Sequence, residues 1–195
     1  MEAEQLFQQI SQDNRAMERL KYHSLRVMYL VSTFAEQLNC YDEDIRVASL
    51  LHDIGKTAIS DHILFKQGRL NETEFLMVQS HSQIGYTTIK EQLSNERAAV
   101  FVLHHHERWD GKGYPLQLKG REISYQGRMI AICDAFDAMT VERNNYGLPG
   151  LSYAKAIEEL RRCSWKQFDG DLVEHFIEMM LSFDMPPTWV TAATR

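Results

Sequence analysis

Apolar residues recur at spacings of three and four along most of the chain, while alternating runs of period two are nearly absent, which predicts an all-α protein. Val27, Leu30, Val31, Phe34 and Leu38 form one face of a helix running from near His23 to near Asn39. Asp42 stands where an N-cap belongs, ahead of a helix carrying Ile45, Ala48 and Leu51, with Gly55 as its C-cap. Asn71 followed by Glu74 has capping-box spacing and opens a helix from Glu72 towards Ser80. Further helices are predicted over Gln83 to Leu93 and Arg97 to His106, and the glycine-rich stretch from Trp109 to Ile123 reads as a structured loop of functional length. A helix from Tyr125 to Thr140 carries Asp134, residues 144 to 150 break the pattern, and Ser152 and Asp169 cap the last two helices. With no repeat, low-complexity run or linker, the chain reads as one domain, residues 1–195, with a helical extension over 1–20 and a tail over 183–195.

At 195 residues and 44% hydrophobic content, the chain can fill a sizeable core. A formal net charge of -6 excludes broad binding to a nucleic-acid polymer, so any phosphate ligand needs a local site. Cys40, Cys133 and Cys163 are far apart and in no metal-binding or redox spacing, which predicts reduced thiols and a cytoplasmic protein. The N-terminal residues lack an apolar signal region, and nothing downstream approaches the roughly 20 apolar residues of a membrane span, so no membrane association is expected.

Histidine changes the picture. The chain has eight, with His81, His104, His105 and His106 close in sequence, and imidazole is well suited to metal binding near neutral pH. The central element is Leu51-His52-Asp53-Ile54-Gly55-Lys56, a His-Asp pair at a helix end followed by a lysine. Such a pair alone identifies nothing, because a helix-end histidine beside a solvated aspartate is ordinary. His23, His81, His105, His106 and Asp134 add further nitrogen and oxygen donors of the kind that divalent iron, manganese or zinc accepts. A carboxylate at Asp53 flanked by imidazoles could bridge two ions about 3.5–4 Å apart, and a water shared between them would be acidified to the hydroxide that attack on an anionic phosphodiester requires.

His23-Ser24-Leu25-Arg26-Val27, the His52-to-Lys56 block, His81, the motif from His105 to Pro115, Asp134 to Thr140, and Gln167-Phe168-Asp169 resemble, in order, the signatures of the HD-GYP family. The match runs over roughly residues 20 to 180, and His105-His106-Glu107-Arg108-Trp109-Asp110-Gly111-Lys112-Gly113-Tyr114-Pro115 is its most specific part. The resemblance implies an HD-domain-like helical bundle with a dinuclear metal site and a glycine-rich loop. It implies that His23, His52, Asp53 and Asp134 surround one metal and that Asp53, His81, His105 and His106 surround the other. It further implies that Lys56 reaches the scissile phosphate, and that Tyr114 and Arg143 contact the ligand. The expected activity is hydrolysis of cyclic di-GMP to linear pGpG, in some members onward to GMP, with two divalent transition metal ions, iron or manganese ahead of zinc or nickel. A diguanylate cyclase or a sensor or receiver protein is the kind of partner implied.

Some positions depart from the family. Arg19 stands where some members carry a glutamate for a third metal, and Glu18, at about 100° per residue, is turned roughly 140° from His23, so two metals are expected. Tyr146 replaces a second basic residue near Arg143, and Asn144 replaces a proline. These changes leave open another cyclic dinucleotide or nucleotide phosphate as substrate, or a docking module without catalysis. Trp109 is read either as a guanine stack or as a loop anchor. His104, His62 and His175 are read as structural, Glu107 and Asp110 as ligand-orienting or loop-capping, and Asp137 as structural or ligand-orienting.

Overall fold

The computed structural model describes residues 2–141 and 150–183 and, among them, holds ten α-helices, two 3-10 turns and no strand. In order these are α1 (Ala3–Asp13), α2 (Arg15–Gln37), α3 (Glu43–Leu51), α4 (Asp61–Leu64), α5 (Glu72–Gln79), α6 (His81–Leu93), α7 (Glu96–His104), α8 (Tyr125–Thr140), α9 (Tyr153–Cys163) and α10 (Gly170–Ser182). The predicted caps act as caps: side chains of Asp42, Asn71, Ser152 and Asp169 accept from backbone N–H groups of the first turns of α3, α5, α9 and α10. Each satisfies a donor that the helix itself leaves without a partner.

Some boundaries differ from the sequence reading. The helix expected from His23 begins at Arg15, because the Asn14 side chain accepts from Ala16 and Met17 N–H, and Ala16 and Met17 are buried. The extension before it is part of the core, since Ala3, Leu6 and Phe7 of α1 are buried with α2 and α3. Gly55 does not cap α3. It lies in a 3-10 turn, Ile54–Ala58, pressed against the start of α6, where a Cβ would stand 2.0 Å from the His81 carbonyl oxygen and 2.8 Å from the Gly85 nitrogen. The glycine is required by close approach of two backbones.

The core is one continuous cluster. Val27, Leu30, Val31 and Phe34 of α2 meet Ile45, Ala48 and Leu51 of α3, Val102 of α7, Ile130 and Phe136 of α8, and Val173, Phe176 and Ile177 of α10. Phe176 packs edge-on against both Phe34 and Phe136, with ring centroids 5.4 and 5.2 Å apart. This apolar mass fixes α2, α3, α7 and α8 relative to one another, and these helices and the ends of α3, α5 and α7 carry the polar cluster described next. No helix among the described residues is long and apolar enough to cross a membrane.

Gly55→Ala should therefore lower stability by about 3 kcal/mol, the upper end for overpacking against an unyielding backbone, read as a reduced urea midpoint at unchanged slope. A change below about 0.5 kcal/mol would mean that the turn and α6 are not in this contact.

Candidate metal centre

His23 comes from α2, His52 and Asp53 from the end of α3, His81 from the start of α6, His105 and His106 from the end of α7, and Asp134 from α8. One local device orients three of these imidazoles. The Nδ1 of His52 lies 2.8 Å from the Ser49 carbonyl, that of His81 2.6 Å from the Val78 carbonyl, and that of His105 2.5 Å from the Val102 carbonyl. In each case the acceptor lies three residues back, in the last turn of a helix, where carbonyls are left without helical partners. Donation from Nδ1–H leaves Nε2 unprotonated and aimed inward.

The inward nitrogens converge. His52 Nε2 is 3.2 Å from His23 Nε2, and His81 Nε2 is 3.3 Å from His105 Nε2. Asp53, buried between them, divides its two oxygens: Oδ1 lies 3.6 Å from His81 Nε2, while Oδ2 lies 3.6 Å from His52 Nε2 and 3.8 Å from His23 Nε2. Asp134 Oδ1 is 3.1 Å from His23 Nε2 and 3.9 Å from His52 Nε2. Ligand atoms of Asp53, His81, His105 and His106 can be chosen within 4.8 Å of one another, and so can those of His23, His52 and Asp53. The two groups share Asp53.

Electrostatics favours the forms a cation needs. Burial drives His81 down to about 4 and His106 to about 3, and holds His105 well below its ordinary value, so all three are neutral at neutral pH. Burial alone would raise the Asp53 carboxyl, but Lys56, His52, His81 and His23 outweigh it and keep the group ionised. For His23, burial pulls downward, yet contacts with Asp134 and Asp137 raise it to about 9. Neutral imidazole nitrogens facing one another around buried carboxylates repel unless a positive charge lies among them, and this donor set fits divalent transition metal ions.

Residues around the cluster take defined places. Asp137 accepts from His23 Nδ1 at 2.7 Å and from the Arg26 Nε at 2.6 Å, so it orients the imidazole from behind. Lys56 Nζ lies 2.6 Å from Asp53 Oδ2 and points into the site. The Glu107 carboxylate accepts from Leu116 and Leu118 N–H at 2.6 and 3.0 Å, which makes it the cap of the glycine-rich loop. Asp110 pairs with Arg108 and accepts from Lys112 N–H in the same loop. At Gly113 the loop passes so close to residues 106–108 that a Cβ would lie 2.4 Å from the Arg108 nitrogen. Tyr114 thereby stacks beside His106, with centroids 4.9 Å apart and the rings tilted by 34°. His104 accepts from Ser124 N–H, and His175 lies 3.5 Å from Glu178 on an exposed surface.

A cleft of about 480 Å³ opens from His105, His106 and Asp134 past Tyr114, within the range of small-molecule sites. Trp109 is not on its wall: its ring meets Trp165 at 5.3 Å and lies under the Arg128 guanidinium, which is the anchoring arrangement of the two readings. Arg143, with Asn144 and Tyr146, lies outside the described residues. Arg108, Lys112, Phe75 and Gln79 line the cleft without having been singled out from the sequence. The two cations sit inside the specific motif. Phe75 had a fainter signal, an apolar run, Phe75 to Val78, inside a capped helix with no clear apolar face.

The pattern of the HD domain family matches residues 6–172. The chain belongs to the HD domain family. Its ordered motifs, the Gly113-Tyr114-Pro115 loop among them, mark the HD-GYP type. Among relatives of this HD domain chain, a cyclic di-GMP phosphodiesterase of Thermotoga maritima is 38% identical over 162 residues, covering 80% of this chain and 44% of that protein. A 3'3'-cGAMP-specific phosphodiesterase of Vibrio cholerae is 39% identical over 140 residues, covering 69% of this chain and 26% of that protein. The chain thus spans less than half the length of these relatives. In fold it is similar to the HD domain of the L. monocytogenes phosphodiesterase PgpH, solved with cyclic-di-AMP, at a TM-score of 0.64 and 17% identity over 91% of this chain and 93% of that one.

Asp137→Asn should weaken metal affinity by about 10–100-fold, as loss of a ligand-orienting carboxylate does, measured by chelator competition; wild-type affinity would mean that the His23 contact is dispensable. In metal-free protein the His23 value of about 9, raised from 6.5, means its imidazolium stabilises the fold fully below about pH 6.5 and progressively less as pH rises through 9. Metal uptake runs the other way, strengthening up to about pH 9 because that proton must leave. Calorimetry at neutral pH in buffers of different ionisation enthalpy should detect its release.

Proposed function

We propose that this chain is a metal-dependent phosphodiesterase that opens cyclic di-GMP to linear pGpG. The observation that carries the reading is the buried Asp53 carboxylate, with one oxygen towards His81 and the other towards His23 and His52. One carboxylate serving two sets of nitrogen donors can hold a pair of ions at the close separation that two-metal attack on a phosphodiester uses. Two bound divalent ions supply Lewis-acid charge and an acidified water to such a reaction. We assign His23, His52, Asp53 and Asp134 to one ion, and Asp53, His81, His105 and His106 to the other. The donor set suits iron or manganese, and also zinc or nickel.

The remaining work falls to the chain's own groups. His52, His81 and His105 present nitrogens whose tautomers are held by backbone carbonyls, so their ligand geometry costs little reorganisation. Lys56 carries a mobile point charge on a flexible stem, and can leave Asp53 to meet the charge that develops on the phosphoryl oxygens. Lys112 puts positive charge on the cleft wall for a phosphate of the ligand, beside Arg108, which is paired with Asp110. The 38% identity to a cyclic di-GMP phosphodiesterase supports the substrate, and the relative specific for 3'3'-cGAMP supports a mixed guanine-adenine dinucleotide as the second reading.

The deciding experiment is metal content and turnover on one preparation purified without oxygen, with products separated by chromatography. About two equivalents of transition metal, pGpG as first product, and loss of turnover in Asp53→Ala by at least about 10³-fold are expected, since removal of the shared ligand dismantles both sites. Faster turnover of 3'3'-cGAMP would transfer the assignment to the mixed dinucleotide. Metal binding with neither substrate cleaved would favour a docking role, for instance towards a diguanylate cyclase, and protein that binds no metal would sink the mechanism.

A further inference from the structure

Helix α5 has no buried residue, yet it carries three consecutive apolar side chains: Phe75, Leu76 and Met77 are 49, 64 and 49% exposed. The helix is held by other means. Asn71 and Glu74 form its capping box, and Lys66 pairs with Glu74 at 2.6 Å. Core packing therefore does not explain why a large aromatic stands at Phe75. Of the three apolar side chains only Phe75 lines the cleft, together with Gln79 four residues on, one turn along the same face.

The rings in the cleft form a row leading away from the polar cluster. Tyr114 stacks beside His106, and Phe75 stands beyond Tyr114 at 6.5 Å between centroids, the two rings meeting at 80°. That edge-on contact holds Phe75 and Tyr114 nearly at right angles, so the two rings are not stacked on one another, and the half-exposed Phe75 keeps ring surface open towards the cleft. In a nucleotide the sugar separates base from phosphate. With a phosphate at His105, His106 and Asp134, an attached base lies one sugar further along the cleft, beside Phe75 rather than beside the ligand residues.

We propose that α5 is the base-binding wall of the cleft and that Phe75 stacks on a purine of the cyclic dinucleotide, with the Gln79 amide meeting polar groups on its edge. This rests on the reading of the cleft as a cyclic dinucleotide site. Stacking on an aromatic ring is open to every base, because every base has a π-face, so Phe75 sets affinity for the dinucleotide class. Gln79, able both to donate and to accept, meets guanine and adenine alike.

The test compares metal-loaded wild type with Phe75→Ala and Phe75→Trp. Phe75→Ala should raise KM for cyclic di-GMP about tenfold, within the range for loss of a base–aromatic stack, with kcat changed by less than about twofold. Phe75→Trp should restore KM, and the melting temperature of both should match wild type, because the side chain is half exposed. A wild-type KM in Phe75→Ala overturns the proposal while wild-type turnover leaves the phosphodiesterase reading standing. If wild type cleaves nothing, equilibrium dialysis with cyclic di-GMP and 3'3'-cGAMP separates the two claims. Weaker binding by Phe75→Ala keeps the stacking role and removes only the hydrolytic one, whereas no binding by wild type overturns both.

Discussion

The structure depends on the mutual placement of imidazole lone pairs around one buried carboxylate. Asp53 is almost completely excluded from water, and an isolated carboxylate there would be prohibitively costly to bury. Lys56 offsets part of the charge, at 2.6 Å, and the surrounding imidazoles keep the group ionised. The imidazoles in turn face each other at 3.2 and 3.3 Å through their Nε2 atoms. Where two facing nitrogens are both unprotonated, the contact is repulsive, and a cation turns the repulsion into ligation. The polar cluster is thus poised for metal by its own geometry, and the apolar core beneath it supplies the free energy that holds it together.

What makes the placement possible is where helices stop. His52 and His105 stand at C-caps, and His81 follows the end of α5, so each Nδ1 meets a last-turn carbonyl that a longer helix would have consumed. The expected helix from Arg97 to His106 ends at His104, where the Val102 carbonyl accepts from the His105 backbone N–H and also holds the His105 ring through Nδ1. Gly55 serves the same end from another direction, letting the 3-10 turn after Asp53 rest on the His81 carbonyl. Fold and site are therefore specified by the same few residues.

Much of this was legible in the sequence because it is local. Caps at Asp42, Asn71, Ser152 and Asp169 act within a few residues, and the His105-to-Pro115 motif carries its loop geometry in its glycines. What was not legible is non-local. The role of Gly55 is decided by His81 and Gly85, the place of Trp109 by Trp165 and Arg128, and the choice between the readings of Asp137 by Arg26 and His23. Each of these partners lies more than ten residues away, and no helical period reports it. The start of α2 is the exception: Asn14 is a strong local cap whose meaning became clear only once Ala16 and Met17 were found buried.

The division between buried and exposed elements also separates the donor cluster from the outer cleft wall. Most metal-ligand candidates are buried. His52, His81 and His105 sit at helix ends locked by backbone contacts and His23 inside α2 against Asp137, where nearly any substitution disturbs the core or leaves a buried polar group unpaired. The outer cleft wall is different: α5 buries nothing, so its residues can change without cost to the core. Relatives named for different cyclic dinucleotides are 38% and 39% identical to this chain, nearly equal distances that do not rank their substrates. If α5 meets the bases as proposed, affinity for them can change on that helix while the donor cluster beneath stays fixed.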